Sequence, residues 1–287
     1  MRWTPGRRSP DLEDRRATTG GRRIALPLGG GGLGLGGILI LLVLSFIFKT
    51  DLLSLFGGGG PAVQVGLPGE KFEPTPEEEK LVDFVSFVLD DAQGTWERIF
   101  QQSGQEYPHA RLVVYRDSTE TACGYGDAAT GPFYCPSDST VYIDLTFYRE
   151  LKDRFGAPGD FAQAYVLAHE IGHHVQNLLG TSSQVRNAQE SDPSGANEMS
   201  VRLELQADCY AGVWGHTTER RDILEEGEVE EALTAAAAIG DDRLQREAGR
   251  RISPDSFTHG SSEQRMQWFR RGFDGGDPAA CDTFRAR

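Results

Sequence analysis

Residues 168–176 read Ala-His-Glu-Ile-Gly-His-His-Val-Gln. They are preceded by a largely apolar segment that begins at Phe161. On a helix, His169 and His173 lie four residues apart on one face, so both imidazoles can reach the same divalent ion. Glu170 is turned about 100° around such a helix from His169. It can therefore reach a water molecule on that ion and act as general base. The stretch predicts a buried helix that carries part of a zinc site, with Glu170 as a catalytic residue.

A catalytic zinc ion takes three protein ligands and keeps one position open, so a further ligand must come from elsewhere in the chain. The candidates are His174, His216, His259, Glu198, Glu204 and Asp208. His174 points about 100° away from His173 and is a poor ligand. Glu204 and Asp208 present two carboxylates one helical turn apart. We expect Glu204 to bind the metal and Asp208 to accept the N–H of a zinc-bound histidine, which fixes its tautomer.

Two later segments extend this pattern. Glu204–Gly212 reads Glu-Leu-Gln-Ala-Asp-Cys-Tyr-Ala-Gly, and residues 258–265 read Thr-His-Gly-Ser-Ser-Glu-Gln-Arg. Together with residues 168–176, they resemble the bacterial neutral zinc metallopeptidase family and the wider gluzincin group. The resemblance covers residues 70–287 and an amino-terminal anchor. It implies a zincin-like fold and one Zn²⁺ per chain, with Glu204 as third ligand and Asp208 behind the ligands. It also implies a peptide or protein substrate.

Peptide hydrolysis needs a hydrogen-bond donor for the developing oxyanion. His259, in the small polar turn Thr258–Ser261, is our candidate, and Tyr142 and Tyr165 are less favoured alternatives. A different role for His259 is to cap the helix that follows it. The strand-like run Thr140–Asp144 is a candidate edge strand beside the cleft, where an extended peptide would pair with the backbone.

The amino terminus predicts a membrane anchor. Seven arginines precede a run without charge from Ile24 to Phe48, which is long enough to cross a hydrocarbon core. We expect the transmembrane helix to span residues 33–55. The arginines place residues 1–32, a basic and glycine-rich tail, in the cytoplasm and the following domain outside. A cleaved signal peptide is the alternative, but no small-residue cleavage site follows closely.

The rest of the chain divides into a linker and one domain. Residues 56–75 are rich in glycine and proline and predict a linker, and residues 75–78 read as a capped helix start. Strand-like runs at residues 111–115 and 140–144 precede several helical segments, which indicates an α+β domain over residues 76–287. The predicted fold is therefore zincin-like and mostly helical, with a small β-sheet, and is preceded by a transmembrane helix.

The chain has four cysteines, an even number that predicts two disulfides in an exported domain. We expect the pairs Cys123–Cys135 and Cys209–Cys281, although four cysteines allow three pairings. The second pair would tie the helix of Glu204 to the carboxyl terminus. Zinc binding by Cys209 is the rival interpretation, and the nearby carboxylate ligand makes it unnecessary.

The net charge and the predicted metal site together limit the classes of function that fit the sequence. The net charge is −14, and residues 49–287 alone carry −18, which disfavours a nucleic acid partner. We predict a membrane-anchored zinc-dependent peptidase. The alternatives are a non-catalytic zinc-containing scaffold or binding protein at the cell surface, and a zinc amidase that acts on cell-wall peptides. Glu170 favours an enzyme, because a scaffold does not need a base beside the metal.

Overall fold

The computed structural model describes residues 1–17, 73–127 and 131–285 of the 287-residue chain. The predicted transmembrane helix over residues 33–55 lies outside these ranges, as does nearly all of the predicted linker over residues 56–75. Within them, no helix has both the length and the apolar character that a membrane crossing needs.

The strands form a four-stranded sheet and a separate hairpin. They are β1 (Leu12–Asp14), β2 (Arg111–Tyr115), β3 (Ser118–Thr121), β4 (Gly124–Asp127), β5 (Phe133–Cys135) and β6 (Thr140–Asp144). The sheet has the order β1-β2-β6-β5, and β3 pairs with β4. The β1–β2 and β2–β6 pairs are parallel, and the β5–β6 pair is antiparallel. β2 and β6 coincide with the two predicted strands, and both are buried along almost their whole length, as parallel strands usually are.

The position of β6 contradicts the expectation that it forms an edge of the sheet. Val141 of β6 is paired with Leu112 of β2 on one side and with Tyr134 of β5 on the other. The backbone of residues 140–142 of β6 is therefore already paired on both sides and cannot pair with a peptide there. In the described part of the chain, β5 is the outer strand on this side. β5 is hard to recognise in the sequence because it has three residues and lies between Pro132 and Pro136.

Helices account for most of the remaining described residues. They are α1 (Pro76–Gln102), α2 (Thr146–Asp153), α3 (Asp160–Leu178), α4 (Thr181–Ser191), α5 (Ala196–Glu219), α6 (Glu228–Ala238), α7 (Asp241–Glu247) and α8 (Ser262–Gly275). α1 begins with the predicted capping box, in which Thr75 and Glu78 each accept the other's backbone N–H. The prediction of a mostly helical α+β domain with a small sheet is confirmed.

Two glycines allow the helices around the site to pack closely. A Cβ atom at Gly172 of α3 would lie 3.0 Å from the backbone oxygen of Ala207 on α5. A Cβ atom at Gly212 of α5 would lie 2.1 Å from the carbonyl oxygen of Phe269 on α8. A side chain at Gly212 would overlap the backbone of α8, and a side chain at Gly172 would force α5 to shift. The close approach at Gly172 brings the His169–His173 segment of α3 beside α5.

Residues 1–17 pack on the same domain. β1 extends the sheet beside β2. Arg8 Nε lies 2.7 Å from Asp83 Oδ1, and Arg16 Nη2 lies 2.6 Å from Glu79 Oε1, with both acids on α1. The structure thus differs from the predicted tail of residues 1–32, because arginines whose clustering suggests a solvated basic segment have carboxylate partners on the domain. The domain includes residues 1–17 as well as residues 73–285.

Both expected disulfides are present. Cys123 is bonded to Cys135, which joins the β3–β4 hairpin to β5, and Cys209 of α5 is bonded to Cys281. No cysteine in the described residues is free, so Cys209 is not available as a zinc ligand.

Candidate metal centre

Helices α3 and α5 bring together the three side chains that the sequence predicts as ligands. Glu204 Oε2 lies 3.2 Å from His169 Nε2, and Glu204 Oε1 lies 3.4 Å from His173 Nε2. One donor atom from each residue lies within 4.8 Å of the other two, and no other group of described residues meets this condition for a metal. Two imidazole nitrogens and one carboxylate oxygen are a known donor set of catalytic zinc, which leaves a position for water. The residues present therefore fit zinc.

The charges of these three side chains depend on one another. Burial lowers the pKa of His169, but Asp208 and Glu204 outweigh burial and raise it to about 10. Burial also lowers the pKa of His173, and Glu204 again reverses the effect. For Glu204, burial raises the pKa, but His173 and His169 hold it well below its usual range. The carboxylate is thus kept ionised, the state in which it can bind a cation.

Asp208 lies directly behind His169. Its Oδ1 atom is 2.9 Å from His169 Nδ1 and also accepts the hydroxyl hydrogen of Tyr165. Arg265 of α8 donates to both carboxylate oxygens. Burial alone would raise the pKa of Asp208, but Arg265 and His169 outweigh it and lower the pKa. An ionised Asp208 holds the proton of His169 on Nδ1 and leaves Nε2 free to face the metal position.

Gln176 supports the second histidine in the same way. Its Oε1 atom lies 2.8 Å from His173 Nδ1, and its Nε2 atom donates to the carbonyl oxygen of Leu203, one residue before Glu204. Gln176 therefore orients His173 and connects α3 to the ligand-bearing turn of α5. This role is not evident from the sequence, although Gln176 follows His173 by three residues, a spacing at which helix side chains meet.

Glu170 lies in the cleft beside the ligands. Its side chain is buried and has no hydrogen-bond or ion-pair partner within the described ranges. Burial raises its pKa, although His173 and His169 act in the opposite direction. A carboxyl group with a raised pKa that faces a cleft beside candidate metal ligands is a common mark of a functional group.

His259 lines the same cleft and is held by Asp241. Oδ2 of Asp241 accepts the backbone N–H groups of Thr258, His259 and Gly260, while Oδ1 lies 3.3 Å from His259 Nδ1. The hydrogen bond to Asp241 is the main cause of a raised pKa of His259. Ser261, not His259, caps α8, so the capping role is wrong. Asp241 is missed by the sequence analysis because it lies on a different helix, 18 residues before His259.

The other residues considered as metal ligands or oxyanion donors form hydrogen bonds or ion pairs outside the metal site. The hydroxyl group of Tyr142 donates to Asp138, and that of Tyr165 to Asp208, so neither points into the cleft as an oxyanion donor. His216 Nδ1 lies 2.7 Å from the carbonyl oxygen of Phe273, and Glu198 pairs with Arg202 on the protein surface. His174 is buried away from the metal position.

The cleft around the site has a volume of about 740 Å³. Val166, His169 and His173 recur on one face of α3, so the cleft follows this helix. Its lining includes apolar side chains, among them Phe155, Val166, Ile239 and Leu244, and polar ones, among them Glu150, Arg154, Ser182, Arg186, Gln189 and Ser200. Phe133 and Tyr134 of β5 also line it, which places the outer strand of the sheet along the cleft.

The chain is similar to known families and proteins. The family described as "Putative neutral zinc metallopeptidase" matches residues 1–284. The uncharacterized protein YpfJ of Escherichia coli strain K12 is 49% identical over 290 residues, which cover 99% of each chain. The uncharacterized protein Rv2575 of Mycobacterium tuberculosis is 44% identical over 194 residues, which cover 64% of each chain. No solved structure matches the chain.

Proposed function

The chain belongs to the neutral zinc metallopeptidase family, and on this basis we propose that it is a zinc-dependent peptidase with Glu170 as general base. The observation that carries the proposal is the position of Glu170 beside His169 and His173, buried in the cleft and without a protein partner in the described residues. A zinc-containing scaffold would not need a carboxyl group at this position, whereas a hydrolase needs a general base beside the metal.

The chain's own side chains account for the proton transfers of peptide hydrolysis. When bound by His169, His173 and Glu204, zinc would supply a Lewis acid that acidifies water and polarises the scissile carbonyl. Because burial raises its pKa, Glu170 is a better proton acceptor than an exposed carboxylate. It takes a proton from the attacking water molecule and passes it to the leaving amine.

His259 supplies the second catalytic group in this proposal. Its Nδ1 atom faces Asp241, so the ring can present an Nε2–H to the cleft when it is protonated. A donor at this position would stabilise the negative charge that develops on the carbonyl oxygen. Asp241 raises the pKa of the ring, which favours its charged form, and fixes the turn that carries it through bonds to three successive backbone N–H groups.

An extended peptide is the substrate that suits the cleft. β5 has one strand neighbour within the described residues, and it runs along the cleft, so a peptide could pair with its other side. The proposal therefore assigns peptide binding to β5 instead of β6. Apolar residues of the lining, such as Phe155, Val166 and Ile239, would receive an apolar side chain of the peptide.

The decisive experiment is incubation of the zinc-loaded full chain with a mixed peptide library, followed by mass spectrometry. We expect cleavage that a chelator abolishes, that added zinc restores and that Glu170→Gln lacks. Intact peptides in the presence of fully bound zinc would instead support a scaffold. Cleavage of cell-wall peptides alone, with all library peptides intact, would support the amidase alternative.

The proposal includes membrane attachment through residues 33–55 and a domain outside the cytoplasm, where two disulfides would persist. Since β1 is hydrogen-bonded to β2, residues 1–17 must lie on the same side of the membrane as the domain. A single crossing at residues 33–55 would put residues 1–17 and the domain on opposite sides, so the predicted single-pass span with a cytoplasmic amino terminus is not part of the proposal. In the proposal, residues 33–55 attach the chain to the membrane without a complete crossing. A cysteine introduced by Gly6→Cys, an exposed position, should react with a membrane-impermeant maleimide in intact cells. Protection of this cysteine would contradict the arrangement.

A further inference from the structure

His174, the third histidine of the opening stretch, has no place in the metal site. Its side chain is completely buried, although it follows the ligand His173 directly. Both ring nitrogens have partners: Nε2 lies 2.7 Å from the carbonyl oxygen of Pro108, and Nδ1 lies 2.9 Å from the hydroxyl oxygen of Tyr134. The ring is thus held between the segment that precedes β2 and the strand β5.

The directions of these hydrogen bonds follow from the chemistry of the partners. The carbonyl oxygen of Pro108 can only accept, so His174 carries its proton on Nε2. Nδ1 is then an acceptor, and the Tyr134 hydroxyl must donate to it. Asn177, one turn further along α3, donates from Nδ2 to the same hydroxyl oxygen at 3.1 Å. The Tyr134 hydroxyl therefore donates to His174 and accepts from Asn177, and both of these residues are on α3.

Tyr134 is the middle residue of β5 and lines the cleft. Its ring meets that of His174 edge to face, with centroids 5.4 Å apart. Phe133, on the opposite side of β5, stacks on Tyr142 of β6. A strand of three residues with one neighbouring strand has little stability of its own. Its position relative to α3 must therefore depend strongly on the contact between Tyr134 and α3.

We propose that His174 is a positioning residue that fixes β5 at a set distance from the metal ligands. His173 and His174 are consecutive on α3, so one turn of helix carries a metal ligand on one face and the attachment of the outer strand on another. A peptide paired with β5 would then present its scissile bond at a fixed distance from Glu170. The kinetic part of this inference rests on the proposed function, but the structural part does not.

Hydrogen exchange tests the structural part without reference to activity. Tyr134→Phe removes the hydroxyl group and keeps the ring. We expect the backbone amides of residues 133–135 to exchange about three- to tenfold faster, the factor that corresponds to one lost hydrogen bond. Tyr142→Phe is the matched control, because it removes from the neighbouring strand β6 a hydroxyl group that bonds to Asp138 in the β5–β6 turn and not to α3. Equal exchange rates at residues 133–135 in Tyr134→Phe and wild type would overturn the proposal.

Kinetics then test the link to substrate binding. Tyr134→Phe should raise KM for a cleaved peptide about three- to tenfold, with kcat and one bound zinc per chain unchanged. His174→Phe should act in the same direction and more strongly, since it also leaves the Pro108 carbonyl without its partner. An unchanged KM despite faster exchange would refute the positioning role. If the wild-type chain cleaves no peptide, the proposed function fails, and the exchange rates alone decide whether His174 holds β5.

Discussion

The guanidinium group of Arg265 and the carboxylate of Asp208 form a two-point ion pair behind the metal site. Nε lies 2.9 Å from Oδ2, and Nη2 lies 2.8 Å from Oδ1. Both side chains are buried, and the same carboxylate accepts from His169 Nδ1. Arg265 therefore compensates the charge that Asp208 needs in order to orient His169, and α8 becomes a structural part of the site.

Asp208→Asn should weaken zinc binding. An amide orients the His169 ring less strongly than a carboxylate, so we expect the Kd for zinc to rise about 10- to 100-fold. Competition with a chromogenic chelator measures this value directly. Glu198→Gln is the matched control on the same helix, because Glu198 pairs with Arg202 at the surface, and its Kd should equal that of wild type. Equal affinities for Asp208→Asn and Glu198→Gln would show that Asp208 does not support the metal.

Arg265→Met should destabilise the domain. The change leaves the Asp208 carboxylate buried without its cation, which costs about 3–5 kcal/mol of unfolding free energy. Urea denaturation of the zinc-free chain measures the loss. The double variant Arg265→Met/Asp208→Leu should recover most of it, because the unpaired charge is gone. A double variant no more stable than the single one would mean that the ion pair is not the cause.

Activity should fall as the pH rises through the pKa of His259. Asp241 and Glu204 raise this pKa, while burial and Arg265 lower it, and the balance is an increase. The charged ring carries the Nε2–H that the oxyanion needs, so Asp241→Asn should move the alkaline limb of the pH–rate profile to lower pH.

The same pair should also affect stability. A histidine with a raised pKa contributes a stabilisation that is fully present below its unfolded value of about 6.5 and is lost as the pH rises through the folded value. The difference in unfolding free energy between wild type and Asp241→Asn should therefore shrink at high pH. For the pH–rate profile, an alkaline limb at the same pH in wild type and Asp241→Asn would exclude His259 as the group whose deprotonation lowers activity.

The two disulfides should differ in their effect on zinc. Cys209→Ala/Cys281→Ala opens a loop of 72 residues and should cost about 4 kcal/mol of unfolding free energy by loop entropy. It should also weaken zinc binding, because the carbonyl oxygen of Cys281 accepts from Gln206, which in turn accepts from Gln176.

Cys123→Ala/Cys135→Ala provides the comparison. The cysteines of this pair are 12 residues apart and lie outside the hydrogen bonds that support the ligands, so zinc affinity should stay at the wild-type value. The loop-entropy loss should be about 3 kcal/mol. Equal zinc affinities in both disulfide variants would argue against a connection between Cys281 and His173.

The local features of the site can be predicted from the sequence. Spacing alone places His169 and His173 on one helix face, and the motif beginning at Glu204 supplies the third donor. The capping box at Thr75 and the β-branched run of β6 also specify their structures through neighbouring residues. In each case, the information lies within one turn of helix or one strand.

Features that depend on distant residues are not predictable in this way. Asp241 acts on His259 across a helix boundary, and Gln176 acts through the backbone of α5. Within the described residues β5 is the outer strand, and the pairing of β6 on both sides that displaces β6 from the edge is not visible in its own sequence. Residues 1–17 join the domain through ion pairs with α1, and a run of arginines does not reveal partners more than 60 residues away.

The central claim is that one zinc ion at His169, His173 and Glu204 enables peptide hydrolysis with Glu170 as base. The most direct test adds zinc stepwise to the metal-free chain and records bound zinc and the rate of peptide hydrolysis together. The rate should rise in proportion to bound zinc up to one ion per chain. Glu170→Gln should bind the same single ion and hydrolyse about 10²- to 10⁴-fold more slowly. A wild-type rate in Glu170→Gln, or hydrolysis that does not depend on bound zinc, would contradict the account.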